Sequence, residues 1–452
     1  MIVIKRDKTE EAFQFGKIES AVTRAFEACG VPAMQEVLDC LRSKYDETSD
    51  VKIPVDEIHD EVENCLMDFC PRVAKAYIIY RYEHKVIRES RDKIIKGLSK
   101  KLMAEDVQNQ NANMDERSFS GRSLEALNIV TKDYALKYCM SRKAAKNHNN
   151  NEIYIHDLDN YAVGMHNCLS IPFDDLLANG FRVKQTDVRP ANSVNTAFQL
   201  IAVLFQIQSL QQFGGVSATH LDWTMVPYVR KSFMKHYLYE HVKYDEEVSD
   251  DFILNSTWEE FGEFIDESKK LYLKELGLTE KDFYVGNEKL KTANLAYYKG
   301  ALIETRKELQ QAVEGLLHNL NTLQSRSGQQ LPFSSLNYGT CTSIEGRMVI
   351  KALLEGSIQG VGKLHRTPIF PCGIFQMMNG VNRKPGDPNY DLYRLALKST
   401  SQRLYPNYAN CDWSGNAGYD KNDPRTYFST MGRRKPQPIS NRVNTAKWCL
   451  AA

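Results

Sequence analysis

The chain has ten cysteines, at positions 29, 40, 65, 70, 139, 168, 341, 372, 411 and 449, but no Cys-x-x-Cys pair among them. That excludes a zinc ribbon and a thioredoxin-like redox motif. It has no long apolar run either. The longest, Leu200 to Phe205, is six residues, against the ~20 needed to span a bilayer. Charge of one sign is missing too: 58 Lys and Arg balance 57 Asp and Glu, leaving +1. No long-range field therefore draws the protein to nucleic acid or to an anionic membrane, and any phosphate binding must be local. Met1 to Asp7 is short, mixed and charged, so no secretory signal is read there. These absences predict a cytoplasmic protein with neither membrane nor nucleic-acid partners. In a reducing compartment most of its cysteines should be small buried hydrophobes. What is present is ordinary for a globular protein: 42% hydrophobic and 25% charged residues over a length of 452, enough for two to four domains and a large core. No internal repeat is evident.

Residues 1–88 read as a small α+β unit. Met1 to Lys5 is a short apolar strand followed by the turn-like Arg6-Asp7-Lys8. Ile18, Ala21, Val22, Ala25 and Phe26 mark one face of a helix that Gly30 and Pro32 close. A second helix begins at Pro54, with Val55, Ile58, Val62, Leu66 and Phe69 on one stripe, and a third runs from Arg72 to about Lys85. Residues 89–113, basic and then rich in Asn and Gln, read as a linker. Beyond it, Phe198 to Phe205 is apolar nearly all round, which predicts a helix enclosed on every side. Ile369-Phe370 and Ile374 to Met377 look like strands covered on both faces. The charged stretch from Tyr244 to Leu323 reads as helical, with Leu302, Leu309, Val313, Leu316 and Leu320 along one seam of a long surface helix.

Val3 to Asp7, then Glu11, Phe13 and Lys17-Ile18, place three cations around one strand, turn and helix start, an arrangement phosphates need. Val55 to His59 with Val62-Glu63, and Ala76 to Arg81, complete the set. Singly, each residue reads as part of a solvated charge cluster. Together and in this order they closely resemble the ATP-cone, the nucleotide-sensing module at the front of many ribonucleotide reductases. By that resemblance Lys5, Arg6 and Lys17 contact phosphates with Glu11 nearby, while His59 and Lys85 complete the pocket from other helices. Lys8 stands where the family usually has Gly, which alters the turn slightly. Such a module reads the ratio of ATP to dATP, two ligands one hydroxyl apart.

The most informative later stretch is Ile153 to Asp159 followed by Met165-His166-Asn167-Cys168-Leu169. It sets a cysteine among His, Asn and Asp at a strand end and loop; taken alone, a buried cysteine beside a hydrogen-bonded histidine is the commoner case. Ser325 to Gln329, Pro332 to Gly339 and Thr367 to Pro371 add hydroxyls, amides and glycines beside apolar strands, which suit ribose or phosphate binding but also mark plain turns. In this order they resemble the catalytic body of the anaerobic ribonucleoside-triphosphate reductases, from about Ala112 to Gly432. The resemblance implies an α/β fold in which the small α+β cone precedes a ten-stranded α/β barrel of the kind shared by ribonucleotide reductases and glycyl radical enzymes. It implies ribonucleoside triphosphates as substrates, a homodimer, and a deoxynucleotide specificity site near its interface, for which Asn192, Asn195, Gln199 and Gln206 are candidates. Cys168 matches the barrel-wall cysteine that supplies reducing equivalents, with formate or a small redox protein as ultimate donor. His156 would lie near the substrate, as would Ser334, Ser335 and Asn337.

The chain departs from the family at its end. Met431-Gly432 should be followed by the radical cysteine, but position 433 is Arg. A guanidinium cannot carry a thiyl radical, and a charge in a radical pocket needs a partner. Residues 433–452 match nothing in the family, and the glycyl radical motif, the four-cysteine zinc site and the target of a radical-SAM activating enzyme are not in this sequence. The expectation is a partial barrel over 114–432 with a non-family tail, from a shifted reading frame or premature end, and a catalytically incomplete chain. Three functions compete: an enzyme of deoxyribonucleotide synthesis for DNA replication, by lineage an oxidoreductase; a nucleotide-binding regulatory protein with a vestigial barrel; and a transcriptional repressor, set aside because repressors carrying this module pair it with a zinc ribbon. No protein-bound metal is expected within these residues.

Overall fold

A computed structural model describes residues 1–6, 8–45, 51–102, 118–164, 168–211, 214–243, 249–325, 329–413, 419–427 and 429–430, without the side chains of 90–93 and 100–102. Met431, Gly432, Arg433 and the tail lie outside the described residues, as do 103–113 of the expected linker. The fold is mixed α/β, as expected, and divides into two compact units. One is Met1–Glu105 with Leu136–Tyr138, and the other is Asp106–Ala135 with Cys139–Ala452. No described helix is long and apolar enough to cross a membrane.

In the first unit β1 (Ile2–Ile4) is flanked by β2 (Glu10–Ala12), antiparallel, and by β3 (Lys52–Pro54), parallel. The β1–β2 turn is closed by Lys5 N–H on Thr9 O at 2.8 Å and Lys8 N–H on Lys5 O at 2.9 Å. Lys8 has φ +67°. It thus adopts the left-handed conformation that glycine would take there at no steric cost, and the turn that Lys8 was expected to perturb is one it accommodates. Four helices pack on the strands: α1 (Phe15–Ala28), α2 (Gln35–Lys44), α3 (Val55–Phe69) and α4 (Pro71–Leu102). Phe15, Ile18, Val22 and Phe26 of α1 meet Val37 and Leu41 of α2, Ile58, Val62 and Leu66 of α3, and Val73, Ala74 and Tyr77 of α4 in one apolar core. α1 ends at Ala28, and Gly30, φ +64°, turns the chain out of it, in keeping with the close read from sequence. Phe69, expected on the buried stripe of α3, is 43% exposed, because the helix ends there ahead of Pro71. α4 continues through residues 89–102 of the expected linker: no proline interrupts it, and Lys, Arg, Glu and Ile sustain a helix.

The second unit begins with α5 (Phe119–Tyr134) and α6 (Arg142–Asn149), then β4 (Leu169–Ser170), α7 (Phe173–Asn179) and the hairpin β5 (Phe181–Val183) with β6 (Thr186–Val188). α8 (Val194–Gln211), β7 (Val216–Ala218), α9 (Leu221–Thr224), α10 (Val226–Lys243), α11 (Asp250–Asn255), α12 (Trp258–Glu275), α13 (Glu288–Ala293) and α14 (Leu295–Thr322) follow. The chain continues through β8 (Ser334–Tyr338), α15 (Ile344–Gln359), β9 (Cys372–Met377), α16 (Tyr390–Arg403) and β10 (Asn407–Asn410). Five strands form one sheet in the order β10-β9-β8-β7-β4, every pair parallel, with helical crossovers between them as parallel pairing requires.

The two faces of that sheet differ. Val216, Ala218, Leu336, Tyr338 and Phe375 point into a core shared with α8, α14 and α15. On the opposite face the register aligns Ser170, Ser217, Ser335 and Cys372 across four adjacent strands. Asn337 lies two residues further along β8, and Gln376 four residues beyond Cys372 on β9. α8 is not enclosed on every side: Val203 is 39% and Leu210 62% exposed, with Gln199 on the same stripe. α14 is more buried than a surface helix with one seam, since Leu309, Val313, Leu316 and Leu320 join the central core while Tyr298 and Ala301 join a second cluster with Phe233 and Tyr237 of α10. Ile369-Phe370 is not a strand. Pro368 and Pro371 remove ladder donors there, the Phe370–Pro371 peptide is cis, and Asn321 Oδ1 accepts the N–H groups of Ile369 and Phe370 at 2.7 and 3.2 Å.

Asp222 on α9, fully buried, fastens the carboxyl end of β8. One of its oxygens accepts the backbone N–H groups of Gly339, Thr340 and Cys341, each at 2.9 Å. Asn389 and Asn382 cap the same turn by donating to Gly339 O at 3.1 and 2.9 Å, and Asn389 also reaches Cys341 O at 2.9 Å. Asp222→Ala would strand three buried donors, and since each unsatisfied group costs about 1–3 kcal/mol, loss of roughly 3 kcal/mol or more is expected. Urea unfolding followed by tryptophan fluorescence measures it, and an unchanged midpoint would refute the anchoring role.

Candidate nucleotide and substrate sites

Two adjoining cavities open in the first unit, of about 340 and 250 Å3, and Ala21, His59 and Tyr77 line both. His59 Nδ1 and the Tyr77 hydroxyl are hydrogen-bonded at 2.7 Å, so this pair stands as a partition between them. The smaller cavity is apolar within, from Val3, Phe13, Ile18, Val55, Ile58 and Val62, and carries Lys5, Glu11 and Lys17 at its edge. Glu11 forms ion pairs with both Lys5 and Lys17. The hydrogen bonds from Lys17 and then Lys5 lower its carboxyl pKa to about 2. Two ammonium groups thus share one carboxylate at the mouth of an apolar hollow.

The larger cavity repeats the pattern with guanidinium groups. Arg6 donates to Asp56 Oδ1 through Nε at 3.1 Å and Nη2 at 2.7 Å. Arg81 reaches the same oxygen at 3.2 Å, and also Asp60 at 2.6 Å and Glu63 at 2.8 Å. Arg24, His84 and Arg88 complete the cationic lining. Tyr80 and His84 lie ring against ring, centroids 4.2 Å apart. The bond from Arg6 lowers the pKa of Asp56.

Of the residues singled out from sequence, Lys5, Glu11 and Lys17 gather at one cavity, Arg6 at the other, and His59 between them. Lys85 lines neither. The face of α4 turned to the larger cavity carries Tyr80, Arg81, His84 and Arg88, one helical phase away from Lys85, which is exposed. Arg24 on α1 and Arg88 on α4 were not anticipated, whereas Arg81 closes the Ala76 to Arg81 stretch read from sequence; for Arg88 the available signal was its place seven residues beyond Arg81 and four beyond His84 on one helix face.

In the second unit Cys168 sits immediately before β4, half-buried, two residues from Ser170 of the polar row. His156 is 65% exposed and paired with Asp157 at 2.5 Å. Ser334 is fully buried with its hydroxyl on Pro332 O at 3.2 Å, and its strand register places it with Val216, on the apolar side. Asn337, also fully buried, is occupied: Nδ2 donates to Ser217 Oγ at 3.0 Å, Ala218 O at 2.9 Å and Thr430 O at 3.0 Å, and Oδ1 accepts Thr430 N–H at 3.0 Å. It clamps the Thr430 backbone from both sides. Ser335 stays on the polar face. An open cleft of about 520 Å3 lies at the carboxyl end of β7, with His220 Nε2 2.7 Å from Asp174 Oδ2 and Arg425 and Asp423 along its wall. Burial raises the pKa of Asp174, but its bonds to His220 and Thr224 outweigh this and lower it overall. Among the described residues no cluster of three or more His, Cys, Asp or Glu could hold a metal.

Two family profiles match the sequence. One, described as anaerobic ribonucleoside-triphosphate reductase, covers residues 110–438, and the other, the ATP cone domain, covers 1–86. Curated relatives include the anaerobic ribonucleoside-triphosphate reductase of Haemophilus influenzae, 29% identical over 91% of this chain and 52% of the relative, and that of Escherichia coli, 28% identical over 91% and 51%. Enterobacteria phage T4 has another, 29% identical over 70% of this chain and 44% of its own length. The chain spans about half the length of the curated relatives it matches. Among solved structures, the anaerobic ribonucleotide reductase from Thermotoga maritima in complex with dATP and CTP aligns with 13% identity and a TM-score of 0.44, over 74% of this chain and 50% of that one.

His59 titrates in a direction that tests the partition. Burial first, then the charges of Arg81 and Arg6, lower its pKa, so the folded protein keeps the imidazole neutral below the ordinary 6.5. The unfolded chain then takes up this proton first, and stability falls as pH drops through and below 6.5. The His59 ring proton followed by NMR should show a midpoint below 6.5; a midpoint above it would mean that the carboxylates, not burial and the guanidinium groups, govern the site.

Proposed function

The chain belongs to the anaerobic ribonucleoside-triphosphate reductase family, and on that premise we propose that its first unit is an allosteric site for ATP and dATP and its second contributes one wall of a barrel in which ribonucleoside triphosphates become deoxyribonucleotides. The observation that carries this reading is the sharing of Glu11 by Lys5 and Lys17 at the mouth of an apolar hollow. A purine suits the hollow and a polyphosphate suits the two ammonium groups at its edge. His59, with Tyr77, stands where a ribose joining the two would pass, which makes it the residue to sense a 2′-hydroxyl.

In the second unit the polar face of the parallel sheet is the substrate side. Cys168 is the thiol that returns a hydrogen atom to the sugar after the 2′-hydroxyl leaves as water, and its S–H bond is weak enough to do so. Ser335 is the residue of its group best placed to meet substrate. Ser334 and Asn337 are assigned to structure, and His156 to the outer approach. The exposed stripe of α8, with Asn195, Gln199, Val203, Gln206 and Leu210, is the proposed contact between two copies. Abstraction of the 3′ hydrogen requires a sulfur radical, supplied in the family by the cysteine after Met-Gly and generated through a glycyl radical. Arg433 occupies that position, so this polypeptide alone does not turn over.

Isothermal calorimetry on the full chain tests the effector site. ATP and dATP should both bind, with Lys17→Ala weakening each about tenfold, or about 1.4 kcal/mol, and His59→Ala narrowing the difference between them. Absence of binding by either nucleotide would remove the allosteric reading while leaving family membership intact. Separately, purified chain given CTP, ATP and formate under anaerobic conditions should form no deoxycytidine nucleotide above the no-protein control, and product formation would overturn the proposed inactivity.

A further inference from the structure

We propose that Cys40 and Cys65 form a redox-modification site, a thiol pair that hydrogen peroxide converts into a disulfide joining α2 to α3. The two cysteines are 25 residues apart in sequence, so no motif announces them, but their sulfurs lie 2.7 Å apart. Unbonded sulfurs are ordinarily well beyond that separation, and a small side-chain adjustment suffices to bring them to bonding distance. Their surroundings divide the labour. Cys40 is half-buried and open to a small oxidant, while Cys65 is 1% exposed within the core of the unit. Lys44, one turn beyond Cys40 on α2, brings an ammonium group to the pair while bonded to Glu61 of α3. Burial, and then Cys40 itself, push the Cys65 thiol up to about 12, which leaves Cys40 as the attacking group and Cys65 as the one that resolves.

The chemistry balances with hydrogen peroxide as the oxidant. The Cys40 sulfur attacks one peroxide oxygen, an S–O bond forms as the O–O bond breaks, and the departing hydroxide takes the proton that the thiol gives up to become water. Cys65 then attacks the sulfenic sulfur, the S–S bond forms, the S–O bond breaks, and a second water leaves. Two thiols are oxidised and one peroxide is reduced. The product fastens α2, which lines neither cavity, to α3, which brings His59 to both and holds Arg6 of the larger one through Asp56. The site therefore places an oxidation event one helix away from the proposed effector pocket, and it stands or falls independently of nucleotide binding.

The test uses the full chain, reduced, freed of reductant and exposed to a few equivalents of hydrogen peroxide. Acid quenching, alkylation and peptide mass mapping then follow. The expected result is a Cys40–Cys65 linked peptide as the dominant product. Alkylatable thiols should fall from the ten present by two, and dithiothreitol should reverse the change. In Cys65→Ser a dimedone-reactive sulfenic acid should accumulate at Cys40, and in Cys40→Ser none should form at Cys65. Oxidation scattered over the other cysteines, or a linked pair that excludes Cys40, would overturn the proposal.

Discussion

A parallel sheet with one polar face has to satisfy the buried hydrogen-bonding groups on that face from within, and the second unit is organised around that requirement. Asp222 takes three backbone N–H groups at the end of β8, and Asn382 and Asn389 take the carbonyls of the same turn. Arg347 from α15 holds Asn389 Oδ1 at 2.8 Å and Asp391 at 2.7 Å, so the turn, α15 and α16 are fastened to one another. Burial raises the pKa of Asp222 while the three donors favour its charge. A carboxylate held in this way cannot move without releasing the turn. The positions of Ser335, Asn337 and Gln376 follow from that anchor, because a turn that slipped would slide β8 against β7 and β9 and reverse which face each residue presents.

The first unit solves a different problem. Its apolar core is complete without the charged residues, which collect around two hollows where Glu11 and Asp56 are each shared by two cations. Exposed pairs of this kind contribute little to stability. Their arrangement instead leaves cations that a polyphosphate can recruit at small structural cost, since withdrawing Lys17 or Arg6 from its carboxylate disturbs no packed side chain. His59 and Tyr77 are the exception, because they are packed as well as polar and belong to both hollows.

What the sequence disclosed follows from distance along the chain. Lys5, Arg6, Glu11 and Lys17 lie within one hairpin and helix start, so their convergence is local, and His59 sits near the beginning of a helix with a clear apolar stripe. Lys85 was misplaced by a fraction of a turn. Its helix is polar over most of its surface, and only packing decides which phase faces inward. α2 was invisible because three buried residues, Val37, Leu38 and Leu41, give a weak period. β4 has two residues and depends wholly on its neighbour β7. The bonds from Asp222 and Asn337 span roughly ninety to 120 residues, and the Cys40–Cys65 approach joins two helices; neither leaves a spacing that can be read. The apolar patterns of α8 and α14 told that they are buried, but the extent of burial is set by how many partners surround each helix.

The contrast between the units governs what a substitution can reveal. In the first, Lys17 or Arg6 can be removed with the core intact, so a loss of ligand affinity there reports on recognition. In the second, the polar residues beside Cys168 also hold the sheet together. Asn337 links β7, β8 and the backbone at Thr430 with one amide, and replacing it would release all three whether or not a nucleotide ever touches it. Only residues whose side chains are not already committed to the scaffold can separate substrate contact from support. Ser335 meets that condition better than the amides around it, since no backbone clamp like that of Asn337 runs from its hydroxyl. A defect confined to substrate handling should therefore come from the Ser335 hydroxyl, while changes at the amides first appear as altered stability.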